Sequence, residues 1–151
     1  MSALSYKSAI ASILLFTIST LAWSDELAGL WQEYDDQTGK VEALIRIEKA
    51  ADNTYEGKIE KLFSDVVANP AKICTRCTGS LRNQPLLGLR ILSGMRRKDR
   101  LNFEGGEIVD PDDGKVYQCH IRLLEDGKTI EVTGYIGFNW FGQSEIWRRA
   151  N

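Results

Sequence analysis

The stretch from Gly105 to Leu123 constrains this chain more than any other. Gly105-Gly106-Glu107-Ile108-Val109 runs into Asp110-Pro111-Asp112-Asp113-Gly114. Asp110 opens a turn, Pro111 presets φ, and Gly114 supplies the positive φ that closes it. Beyond the turn, Tyr117, Cys119, Ile121 and Leu123 alternate with Gln118, His120 and Arg122. That period of two is a half-buried strand. The segment predicts an antiparallel hairpin, and the Gly105-Gly106 pair predicts a bulge or kink in its first strand.

The same alternation recurs along the chain. Val41, Ala43, Ile45 and Ile47 face one way and Glu42, Arg46 and Glu48 the other; Tyr55, Gly57, Ile59 and Phe63 oppose Glu56, Lys58 and Glu60. Leu89, Ile91 and Met95 share a face, as do Ile130, Val132, Gly134, Ile136 and Phe138. With Gly29–Asp36, Leu101–Ile108 and Gln143–Arg149 this makes eight strands. Apolar-in, charged-out patterning belongs to antiparallel strands with one wet face. Eight of them hide their edges best by closing into an up-and-down barrel, with a β-sandwich as the alternative. The charged outward faces exclude stable insertion as an outer-membrane barrel, which needs an apolar lipid-facing band.

At the start, Lys7 precedes an apolar run from Ala9 to Ala22, and Ala22-Trp23-Ser24 places small residues where a signal peptidase cuts. Residues 1–24 therefore predict a cleaved signal peptide, and residues 25–151 a single exported domain, periplasmic or secreted. Lys7 is the one charged residue of the signal, so cleavage moves the formal charge from −2 to −3. Such mild acidity offers nucleic acid no footprint. The basic cluster Arg96, Arg97, Lys98 and Arg100 reads as a solvated turn.

The stretch Ser64–Pro85 breaks the strand rhythm and contains Cys74 and Cys77. Connections this long are usually functional or tied down, and Asp65–Ala68 has the makings of a short helical turn. In an oxidising compartment Cys74–Cys77 is the first disulfide pairing to expect, and a bond from either to Cys119 the second. Redox catalysis would want Cys74 at a helix start, and a zinc site would need Cys119 and His120, which point to opposite faces. Asp110, Asp112 and Asp113 lack the spacing of a calcium loop. His120, the only histidine, turns outward, so no catalytic triad can be assembled. The carboxylates in strands all read as belonging to wet faces. The chain reads as a non-enzyme without a cofactor.

Trp31, Tyr55, Phe103, Tyr117, Ile136 and Trp147 are the larger residues expected inside. They either fill the barrel or line a pocket for one small apolar or amphipathic ligand. The alternative function is a non-catalytic cell-envelope interaction module working through Ser64–Pro85.

Several ordered pieces resemble one family. They are Gly29-Leu30-Trp31, Tyr55-Glu56-Gly57-Lys58-Ile59, the Cys74/Cys77 pair, Gly105-Gly106-Glu107-Ile108-Val109-Asp110-Pro111, and Gly114-Lys115 with Tyr117 and Cys119. Gly134-Tyr135-Ile136-Gly137 and Trp147 with Arg149 complete the set. Together they are similar to the DUF2147 family of exported bacterial proteins. The resemblance implies a lipocalin-like barrel, and the family carries no established biochemical activity. The early Gly-x-Trp with late arginines also resembles the wider lipocalin-like pattern, which implies that Trp31 packs across one barrel end against Arg148 or Arg149.

Overall fold

The computed structural model describes residues 26–63, 72–137 and 142–151. The expected signal peptide, the turn at Asp65–Ala68 and the inward position of Phe138 lie outside the described residues.

The strands are β1 (Gly29–Tyr34), β2 (Val41–Lys49), β3 (Tyr55–Leu62), β4 (Arg90–Arg97), β5 (Asn102–Val109), β6 (Val116–Leu123), β7 (Thr129–Tyr135) and β8 (Gly142–Arg149). Each pairs antiparallel with the next, and β8 returns to β1, closing an eight-stranded barrel. Closure leaves no unpaired edge to recruit another chain.

The alternation places the core. Ala43, Ile45, Ile47, Tyr55, Ile59, Cys119, Ile121, Leu123, Ile130 and Val132 are all buried. Outside, charges pair across strands: Arg46 with Glu60 at 2.6 Å, Arg122 with Glu131 at 2.9 Å, Lys98 with Glu104 at 2.9 Å. Such exposed pairs contribute little stability each, but they keep the outer wall wet.

Bulges correct the parity at three places. The β2–β3 register shifts between Leu44 and Ile45, so that Ala43 faces Leu62 while Ile45 faces Ile59. Leu62 therefore turns inward, and Phe63, expected inside, lies outside with the Lys61 ammonium 4.7 Å from its ring centre. In β4 the shift opposite Gly57 leaves the neighbours Ile91 and Leu92 both buried. Between β1 and β2 the shift at Glu33/Tyr34 skips Glu42, which was expected on the wet face. In β5 the bulge falls where the glycine pair predicted it, between Phe103 and Gly106. Gly105 takes φ 78°. A Cβ on Gly106 would collide with Met95 and with the Ser93 carbonyl of β4.

The two barrel ends differ. One end gathers the starts of β1, β3, β5 and β7 and the ends of β2, β4, β6 and β8. Here Trp31, Tyr55, Phe103 and Trp147 are fully buried, and Tyr55 meets Phe103 edge-to-face at 5.2 Å. The Trp31 indole donates to the Leu27 carbonyl at 2.9 Å, so its one polar atom is satisfied inside. Arg149 lies 4.4 Å over the Trp31 ring and donates to the carbonyls of Ala28 and Glu26. Of the two arginines, Arg149 therefore makes the barrel-end contact. Arg148 stacks on Tyr34 instead. Gly29 (φ 146°) makes room, because a Cβ there would strike the Arg149 guanidinium.

Trp31→Ala should cost about 3–5 kcal/mol, the usual range for truncating a buried aromatic. Denaturant melts of the variant and wild type decide; a change within error would mean that the plug does not depend on Trp31.

Candidate functional site

At the opposite end the lumen is not filled. A cavity of about 660 Å³ opens there, within the range of small-molecule sites. Its wall divides by strand. Ile59 and Leu62 of β3, Ile91 of β4, Ile108 of β5, Tyr117 of β6 and Val132 of β7 form an apolar arc. The contiguous strands β8, β1 and β2 add Glu145, Glu33 and Glu42. These carboxylates correct the expectation that every strand carboxylate faces water outside. Glu33 stands two residues beyond Trp31, and Glu145 two before Trp147, so strand geometry turns them into the same lumen. Glu42 enters through the β1–β2 bulge.

Two turns rim the mouth, from opposite sides of an eight-strand circle. Asp35-Asp36-Gln37-Thr38-Gly39-Lys40 joins β1 to β2, and Asp110-Pro111-Asp112-Asp113-Gly114-Lys115 joins β5 to β6. They share one construction. The leading aspartate's N–H donates to the closing lysine's carbonyl at 2.9 and 3.0 Å, and its own carbonyl accepts from the glycine at 2.8 Å. Gly39 and Gly114 take φ 67° and 75°. Each turn presents aspartates to the cavity. In the second, Asp113 accepts from the Tyr117 hydroxyl and pairs with Lys115 at 3.1 Å.

The cysteine loop braces this second turn. Cys74 and Cys77 form a disulfide, with Cys119 a buried free thiol. An isolated bridge between Ile73 and Pro85 and a short 3₁₀ turn at Gly79–Leu81 shape residues 72–85. Arg76 donates to the Asp112 carbonyl at 2.7 Å, and a Cβ on Gly114 would collide with the Arg76 carbonyl. Gly114 is thus needed both for its φ and for the loop's close approach.

The cavity's electrostatics are one-sided: among the described residues, eight carboxylates line it against the single cation Lys115. Loss of hydration pushes Glu33 from 4.5 up to about 8, with the charges of Glu145, Glu42, Asp110 and Asp112 adding to the rise. Water still reaches its carboxylate through the cavity, so Glu33 is half-buried by surface, although protein surrounds it. Glu145, exposed by surface at the mouth but with protein around its carboxylate, is raised by partial desolvation against the pull of its hydrogen bond from the Trp147 indole, 3.1 Å away. Desolvation also raises Glu42 and Asp112. Burial pushes the Cys119 thiol up to about 12, which leaves it protonated and a poor nucleophile.

Of the residues assigned to the barrel interior, Tyr117 and Ile136 line the cavity. Ile136 sits beyond the end of β7 at the mouth and is 62% exposed, a correction to its expected inward position. Trp31, Tyr55 and Phe103 pack the closed end and do not line it. Leu87 and Val116, also exposed, lie at the open end with Ile136. The signal for Glu33 and Glu145 was in the sequence, as their spacing of two residues from Trp31 and Trp147, which puts each on the same strand face as its tryptophan.

The model of DUF2147, described as an uncharacterized protein conserved in bacteria, matches residues 29–149. The chain belongs to this family. No curated protein matches it at a significant level. Among solved structures, protein HP1028 from the human pathogen Helicobacter pylori, described as belonging to the lipocalin family, is similar with a TM-score of 0.69. The match covers 83% of each chain at 20% identity. This likeness shows a lipocalin-like fold for the DUF2147 barrel. Among the described residues, no helix is long and apolar enough to cross a membrane.

Two outcomes follow from this arrangement. Reducing the disulfide should release residues 72–85 and speed proteolysis at Arg76. The barrel should lose only about 2 kcal/mol, because so short a loop removes little unfolded-chain entropy. Thiol counting on unfolded, non-reduced protein should find one free thiol, at Cys119; three would exclude the bridge. The second outcome is a pH dependence. Glu33's folded pKa is raised, so the native state holds a proton that the unfolded chain releases between 4.5 and about 8. Stability is therefore greatest below that window and falls as pH rises through it. Glu33→Gln should remove this decline and stabilise the protein by about 1–3 kcal/mol near pH 9, a figure discounted for water in the cavity. Parallel denaturant curves across the window would check it.

Proposed function

We propose that this protein is an exported, non-catalytic carrier that binds one small amphipathic molecule in the open half of its barrel. The observation that carries the reading is the cavity of about 660 Å³, with its continuous apolar arc from β3 to β7. Burying apolar ligand surface there is worth roughly 25 cal/mol per Å² before association costs are subtracted. The exposed Leu87, Val116 and Ile136 at the open end offer an apolar approach. Export is supported by the signal-like residues 1–24 and by the Cys74–Cys77 disulfide, which oxidising compartments favour. The non-catalytic reading is supported by how the polar groups are used. Asp113 is engaged by Tyr117 and Lys115, and Cys119 is buried and protonated.

The second reading, an envelope interaction module, keeps one supporting observation. The disulfide loop is docked against the mouth, where it could present a surface as well as brace a turn.

The neutral fluorophore N-phenyl-1-naphthylamine should bind at one site per chain, with enhanced emission. Ile108→Trp, which places a large ring in the cavity, should abolish binding while the far-ultraviolet circular dichroism stays that of the barrel. Native mass spectrometry of protein purified from its own envelope should show a retained small molecule. Binding unaffected by Ile108→Trp would move the site out of the lumen and favour the interaction module.

A further inference from the structure

The carrier reading leaves the chemistry of the ligand open, and the cavity wall narrows it. Glu33 lines the lumen, and its carboxylate accepts no hydrogen bond from the protein among the described residues. The charged groups facing it are Glu145 from β8, Glu42 from β2, and Asp110 and Asp112 from the β5–β6 turn. The nearby cations are engaged elsewhere: Lys115 pairs with Asp113, and Arg76 donates to the Asp112 carbonyl. An unpartnered carboxylate on an enclosed wall is costly when charged. With the lumen empty it carries a proton near neutrality, and a cation of suitable shape can take that proton's place.

The arrangement also selects among cations. The carboxylates are spread along β8, β1, β2 and the two rim turns, and no three converge as a metal site among the described residues. Opposite the strand carboxylates Glu33, Glu42 and Glu145 lies the apolar arc of Ile59, Ile91, Ile108 and Val132. Such a wall matches a molecule with a diffuse positive head and an apolar body. An anionic amphiphile would meet eight carboxylates and one lysine, itself already paired.

Resting on the carrier reading, we propose that the lumen binds an organic cation, an ammonium or amidinium compound with an alkyl or aromatic body, whose head pairs with Glu33 and Glu145. The apolar body packs on the β3–β7 arc. Binding strengthens as pH rises, because a cation must displace the Glu33 proton.

The test compares decyltrimethylammonium with decanoate, both below their micelle concentrations, by calorimetry and by displacement of N-phenyl-1-naphthylamine. The first keeps its charge at every pH, so any pH effect belongs to the protein. Decyltrimethylammonium should bind at least about tenfold more tightly than decanoate near pH 8.5, a modest return for one partly buried charge pair. That preference should shrink near pH 6. Glu33→Gln and Glu145→Gln should each reduce it severalfold, and Glu33→Gln should flatten the pH dependence. Both substitutions keep side-chain shape and remove like-charge repulsion, so they should not unfold the barrel. Glu131→Gln, on the outer wall, serves as the control and should change nothing. If the neutral fluorophore binds but decanoate equals the cation, or the Gln variants keep the preference, the cation inference falls and the carrier reading stands. If neither fluorophore nor cation binds, both fall.

Discussion

The seam between the first and last strands is the constraint on which this barrel depends. Along it only Trp31 with Arg149 and Gln32 with Arg148 are registered, whereas β7 and β8 are paired from end to end. A short ladder is a weak closure, and an open eight-stranded sheet would expose two edges. The side chains at the seam supply what the backbone does not. Arg149 covers the Trp31 ring, and its nitrogens reach the carbonyls of Ala28, Glu26 and Gly127. One guanidinium thus holds the chain entering β1, the ring beneath it and the turn before β7. A planar donor fork can do this; a lysine ammonium, compact and strongly hydrated, could not.

With the seam held, the lumen divides. The closed end is built for stability: two tryptophans, Tyr55 and Phe103 fill it with their polar atoms satisfied or at the rim. The open end is built against stability. It sets carboxylates beside one another around the mouth, and Glu33, raised by loss of hydration and by the neighbouring charges, is the one most affected. Residues that lower stability and serve no packing purpose are characteristic of binding sites. The boundary is only one alternation wide, since Glu33 follows Trp31 by two residues and Glu145 precedes Trp147 by two. The plug orients the acidic wall directly through the strand.

Much of this was legible in the residues. The Asp110–Gly114 turn, the bulge at Gly105-Gly106 and the inward faces of β2, β6 and most of β3 and β7 follow from local sterics and period two. Phe63, Leu62, Leu92 and Glu42 did not follow, because each lies past a bulge. One extra residue reverses parity, and only the partner strand says where it is. Ile136 fits the β7 alternation, but the strand stops at Tyr135, so its side chain lies at the rim. Glu33 and Glu145 were misplaced for a different reason. Polarity suggested the wet face, whereas the alternation put them with the tryptophans. The alternation was right because a lumen that is partly empty has room for hydrated carboxylates.

The sequence by itself determined the strand count, the antiparallel class and the turn chemistry, and it made Cys74–Cys77 the first of two pairings to expect. These depend on φ preferences, period two and separations of a few residues. The tertiary structure decided how far the barrel is filled, which residues meet at the seam and how the two aspartate turns converge on one mouth. Those features depend on closure, which brings β1 against β8 and the β1–β2 turn across from the β5–β6 turn. Volume enclosed between distant strands has no signature in any local stretch of chain.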